Sequence, residues 1–142
     1  MGRTPAPVTS NLLAGRELTS HYARGLKDAH IRALAGIAAI ASQGTVEPSD
    51  GLRALALLHA AEGAVAEAEL QLVGTLLLAG ATRAECAAAL SIRPQTLSAR
   101  LSATRTWAQL VGSELVPDPT RPGNWLATQS EAASETVSRS SN

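Results

Sequence analysis

Thr82 is followed three residues later by Glu85, and Pro94 stands nine residues beyond that. This arrangement constrains the fold more than any other feature of the chain. A threonine with a glutamate three positions on forms a capping box, each side chain satisfying a backbone N–H left open at a helix start, so a helix begins at Arg83. Proline disfavours helical backbone at the residue before it, here Arg93, and its fixed φ suits a first helical position. The first helix is therefore short, 83–90, and Leu90-Ser91-Ile92 ends it. A second helix starts at Pro94 and is expected to run over 94–111. Helices joined by so short a turn cross steeply, with small residues on the first and aliphatic anchors on the turn and the second. Ala87, Leu90, Ile92, Leu97 and Leu101 meet that need in order.

The rest of the chain is built from strong helix formers. Apolar residues make up 45% of the 142 residues, much of it Ala and Leu; aromatics are 2%, with no Phe. An all-α fold follows. Leu18, Tyr22, Leu26, His30/Ile31, Leu34, Ile37 and Ile40 form one apolar stripe on a helix over 16–42. Gln43 to Pro48 breaks it. A longer helix is expected over 49–79, capped by Ser49 or Asp50. Its seam is Leu55, Leu58, Ala61, Val65, Ala68, Leu72 and Leu76, widened by Leu70, Val73 and Leu77, and Gly80 sits where a left-handed C-terminal cap belongs. The fold expected is an antiparallel pair of long helices, then the two short helices, then an irregular C-terminal arm.

The flanks read differently. Residues 1–15 hold Pro, Gly and Thr and are expected to be mobile. Pro117, Pro119, Pro122 and Gly123 exclude a helix over 113–127, which is expected to be an extended arm or a small wing. Residues 128–142 are polar and Ser-rich, a composition expected to stay disordered.

Twelve basic and twelve acidic residues give a formal charge of zero, which argues against binding nucleic acid by bulk charge. The distribution is uneven. Between Ala81 and Leu110 lie Arg83, Arg93, Arg100 and Arg105 against Glu85 alone, a local charge of +3. A basic face on a neutral chain suggests a small, defined footprint, although four solvated arginines would look the same by charge.

Enzymatic signals are absent from the pattern. Cys86, the one cysteine, leaves no internal disulfide and no multi-cysteine zinc site, and reads as a packed core residue. His21, His30 and His59 share no metal-ligand spacing, and Glu62, Glu67 and Glu69 read as a solvated helix face. No catalytic residue, metal or cofactor is expected. No apolar run reaches 18 residues, and Met1–Asn11 lacks the apolar core of a signal peptide. The expected compartment is the cytoplasm, at the nucleoid.

Ala84-Glu85-Cys86-Ala87-Ala88-Ala89-Leu90-Ser91-Ile92-Arg93-Pro94-Gln95-Thr96-Leu97 resembles the helix-turn-helix superfamily of bacterial and phage DNA-binding proteins over roughly residues 80–106. Many members read Ala-Glu-Ile-Ala-x-x-Leu-Gly-Ile-Ser-x-x-Thr-Leu. Two positions depart from that pattern. Ser91 stands where the family has a glycine with positive φ, at a cost on the order of 1 kcal/mol. Arg93 stands where a capping serine is common.

The resemblance implies double-stranded DNA as partner and a recognition helix beginning at Pro94. With Leu97 and Leu101 inward, Gln95, Ala99, Ser102 and Thr106 lie opposite and would enter the major groove. Thr96, Ser98 and Arg100 flank that strip; Arg93 stands at the helix start, and Thr82, Arg83 and Arg105 suit the phosphate backbone. One unit reads few base pairs, so a homodimer through residues 16–79 is expected. The implied role is a sequence-specific transcriptional regulator, repressor-like. The alternative is a non-enzymatic assembly or adaptor protein, including a phage packaging-type subunit, whose helices make protein contacts. Trp107 and Trp125 read as covering one another within the chain, or else as a partner contact.

Overall fold

A computed structural model describes residues 9–127. The described residues are mostly helical, with one small two-stranded sheet among them. Four α-helices follow in order: α1 Thr9–Ala41, α2 Pro48–Leu78, α3 Arg83–Ala89 and α4 Pro94–Ala103. A single 3-10 turn, Trp107–Leu110, leads to strands β1 Leu115–Pro117 and β2 Trp125–Ala127. The expectation for 128–142, and that for 1–8, lie outside the described residues.

α1 and α2 run antiparallel along each other. Thr19 Oγ1 donates to Thr75 Oγ1 at 3.1 Å near one end, and Gly36 faces Ala54 towards the other. The line of closest approach is made of small residues: Ala29, Ala33 and Ala54 are buried there. Leu26, Ile37, Leu58 and Val65 flank that line half-buried, whereas Ile31, Leu34 and Leu55 of the expected stripe and seam are exposed.

Several boundaries differ from expectation, each for a physical reason. α1 begins at Thr9, so residues 9–15 are helical, where a mobile segment over 1–15 was expected. Asn11 and Ala14 hold that turn in place: Asn11 Oδ1 accepts from the Leu115 N–H at 2.9 Å and its Nδ2 donates to the Ser113 carbonyl, while Ala14 is fully buried. α2 begins at Pro48 with Glu47 as N-cap and no side-chain cap bond, so neither Ser49 nor Asp50 caps it; proline at the first position stands in. α4 stops at Ala103, where 94–111 was expected to be continuous. Thr104 is extended, and Thr106 opens the 3-10 turn with its own capping box to Gln109.

The 113–127 arm folds back as an antiparallel hairpin, Leu115 opposite Ala127 and Pro117 opposite Trp125. Two apolar clusters hold everything to one end of the long helices. Val73 and Leu77 of α2 pack with Cys86 and Ala87 of α3, Leu97 and Leu101 of α4, and Ala108. Ala14 and Leu18 of α1 pack with Leu78 and Leu115, with Tyr22, Trp107 and Trp125 laid against them. Gly74 is required in this arrangement: a Cβ there would sit 2.9 Å from the Trp107 backbone nitrogen.

Candidate nucleic-acid interface

α2 ends in a Schellman motif. Ala79 is the C-cap, Gly80 takes φ +109°, and the N–H groups of Gly80 and Ala81 donate to the carbonyls of Leu77 and Leu76 at 3.2 and 3.0 Å. The chain leaves α2 sharply and α3 opens at once. Thr82 Oγ1 accepts from the Glu85 N–H at 3.1 Å, and Glu85 Oε1 accepts from the Thr82 N–H at 3.0 Å. That backbone hydrogen bond, then the Thr82 side chain, holds the Glu85 carboxyl below the ordinary glutamate range.

α3 closes with the same device as α2. Leu90 is the C-cap, and the N–H groups of Ser91 and Ile92 donate to Ala88 and Ala87 at 3.1 and 3.0 Å. Ser91 sits at φ 57°, the single non-glycine residue with positive φ among the described residues. Its short polar side chain makes this conformation tolerable. Ile92 then turns into the apolar cluster and Pro94 starts α4. The chain from Arg83 to Leu101 is therefore two helices set at a bend.

Leu97 and Leu101 are fully buried and fix which side of α4 faces inward. Gln95, Thr96, Ala99, Arg100 and Ser102 are exposed on the other sides. Ser102 Oγ donates back to the Ser98 carbonyl at 2.9 Å, one turn earlier. Ser98 is half-buried and accepts from an Arg83 guanidinium nitrogen at 3.4 Å, which ties α3 to α4. Arg93 is exposed at the N-cap of α4 and its side chain caps nothing. The first-turn N–H groups of α4 are thus open to solvent or to an anion. Thr82 is exposed at the neighbouring N-cap of α3, and Arg105 is exposed just past α4.

Thr106 does not belong to the exposed strip. It is buried, its hydroxyl accepts from the Ala108 N–H at 3.1 Å, and a Cβ on Gly74 would lie 3.0 Å from Thr106 Cβ. An unbroken α4 would point Thr106 outward; the break at Thr104 turns it in. Two positioning residues escaped the sequence reading. Gln109 Nε2 donates to the Leu101 and Thr104 carbonyls at 2.6 and 3.0 Å, closing the end of α4, and Gln71 Nε2 donates to the Arg105 carbonyl at 2.7 Å. Thr106 followed three residues later by Gln109 is itself a capping-box signature, and it would have marked the break.

Cys86, Trp107 and Trp125 are held within the fold. Cys86 is buried; burial foremost, then the neighbouring Glu85 charge, pushes its thiol pKa up against an opposing pull from Arg83. A protonated, enclosed thiol is a poor nucleophile. Trp107 Nε1 donates to the Tyr22 hydroxyl and Trp125 Nε1 to Glu17, both at 3.1 Å, so both rings are anchored onto α1. Among the described residues no cluster of His, Cys, Asp or Glu is placed to hold a metal, and no helix is long and apolar enough to cross a membrane. Compared with known proteins, the chain matches no family model, no curated protein and no solved structure.

Proposed function

We propose that this chain is a sequence-specific DNA-binding protein, a repressor-like transcriptional regulator that acts as a dimer. α3 and α4 serve as its helix-turn-helix unit, with α4 entering the major groove. One observation carries the reading: α4 is pinned by two fully buried leucines, while Gln95, Thr96, Ala99, Arg100 and Ser102 stand uncovered. Gln95 has the amide needed for a bidentate contact with adenine, and Ala99 the methyl to meet thymine. Arg93, Arg100 and Arg105, with Thr82 and Arg83 at the start of α3, supply the phosphate contacts that set register. The open N-terminus of α4 adds a partial positive charge in the same place.

Selection of bound fragments from a random duplex pool tests the reading. The native chain enriches a defined site. Gln95→Ala relaxes preference at one base position by about 1–3 kcal/mol, whereas Arg100→Ala weakens all sequences alike. A pool that shows no enrichment contradicts the proposal.

A second reading, a non-enzymatic assembly or adaptor protein, draws on a different observation: the exposed leucines at the far end of the long helices. In that case the chain leaves duplex DNA unbound at low salt.

A further inference from the structure

The far end of the α1–α2 hairpin has helical residues suited to a core, and among the described residues no further element is stacked on them. Ile31, Leu34, Leu52 and Leu55 keep 60, 47, 66 and 56% of their surface exposed. His30 and Leu34 of α1 and Leu58, Glu62, Val65 and Glu69 of α2 line one groove of about 230 Å³, so these side chains share a face. Lys27, Ile31, Leu34 and Ala38 follow one another along the outer edge of α1 at helical spacing; Leu52, Leu55, His59, Glu62, Ala66 and Glu69 do the same along α2.

We propose that a second copy of this chain covers this face, making an antiparallel four-helix bundle whose two-fold axis runs along the hairpin. Two features select a second copy as the occupant. The first is area. The exposed aliphatic residues, with half-buried Leu58 and Val65, leave an apolar patch on the order of 500 Å² per copy. Two such patches facing each other reach the ~1,000 Å² that a specific interface needs.

The second is charge. On this face α1 contributes Lys27 and His30, whereas α2 contributes Glu62 and Glu69, with His59 Nδ1 3.4 Å from Glu62. An axis along the hairpin sets α1 of one copy over α2 of the other at the same height. Lys27 lies midway between Thr19 and Gly36, which face Thr75 and Ala54, so its height falls between Glu62 and Glu69. Each lysine then meets the other copy's acidic pair. An axis across the hairpin would instead set α1 against α1 and α2 against α2, so that neither lysine meets the acidic residues of the other copy. The axis chosen also leaves both α4 helices at one end of the dimer. That placement rests on the DNA-binding reading, because only there can two units reach adjacent turns of one duplex.

Sedimentation equilibrium of the full chain tests the proposal, with circular dichroism to check that each variant stays helical. The native chain gives twice the chain mass of 14.6 kDa. Leu34→Glu with Leu55→Glu weakens the dimer about a hundredfold or more. Glu62→Lys and Lys27→Glu each weaken it by about tenfold, and the two together restore it. A native chain that stays monomeric at all concentrations overturns the proposal, as does a dimer indifferent to the leucine pair or a charge exchange that restores nothing. Binding of random duplex by the same samples separates the two readings. A native dimer that ignores DNA at low salt refutes the regulator and upholds this face.

Discussion

The two ends of the α1–α2 hairpin are made of the same residue types and behave in opposite ways. At the end near Gly80, Val73, Leu77 and Leu78 of α2 and Ala14 and Leu18 of α1 are buried beneath α3, α4, the 3-10 turn and β1. At the other end Leu34, Leu52, Leu55 and Leu57 lie open. Helical periodicity is equally good at both. Burial is decided by whether a third layer exists, and a helix pair alone cannot enclose large side chains. Where the described residues of α1 and α2 have only each other, Ala29, Ala33, Gly36 and Ala54 fill the line of closest approach, Leu26, Ile37, Leu58 and Val65 are half-covered beside it, and Leu34, Leu52, Leu55 and Leu57 face out.

Truncation should therefore cost very different amounts at the two ends. Leu97→Ala is expected to lose about 3–5 kcal/mol, because a fully buried leucine leaves a cavity that α2 and α3 cannot close. Leu55→Ala, measured by urea unfolding at a concentration where the chain is monomeric, should change stability by less than about 1 kcal/mol. Equal losses would remove the distinction. Next in size, Gly74→Ala should cost about 1–3 kcal/mol by forcing the 3-10 turn away from α2. Alanine at Gly63, with open space around it, should stabilise α2 slightly by thermal melting.

Legibility in the sequence followed the same division. α3 and the start of α4 were readable because Thr82, Glu85 and Pro94 act on their own immediate backbone. The exposed strip followed from Leu97 and Leu101. The start of α1 was not readable, because Asn11 gains its order from Ser113 and Leu115, more than a hundred residues away. Inside the hairpin most of the expected stripe is at least half-buried, Leu26, Ile37, Leu58 and Val65 among it, while Ile31, Leu34 and Leu55 stand out because Ala29, Ala33 and Ala54 take the closest approach. The end of α4 was legible only through the Thr106–Gln109 capping box; the inward turn of Thr106 onto Gly74 is a packing contact that no local signal carries.

Smaller effects sharpen the turn at the well-packed end. Ser91→Gly should stabilise the fold by up to about 1 kcal/mol, seen as a higher Tm, since glycine takes φ 57° without penalty. Smallest is the acid dependence of the α3 cap. The Glu85 carboxyl is held low in the folded chain, so its contribution is complete above the ordinary glutamate range and is lost as pH falls through the depressed value. Glu85→Gln should shallow that acid limb in a pH series of denaturation midpoints while leaving stability near neutrality almost unchanged.

The most direct measurement of the central claim is duplex binding against salt concentration, comparing the native chain with Arg93→Ala, Arg100→Ala and Arg105→Ala combined. Binding is expected at low salt, its logarithm falling linearly with log salt, with a slope about 2.7 units shallower in the triple variant. Native binding with no salt dependence, identical slopes for the two proteins, or no binding at low salt would contradict it.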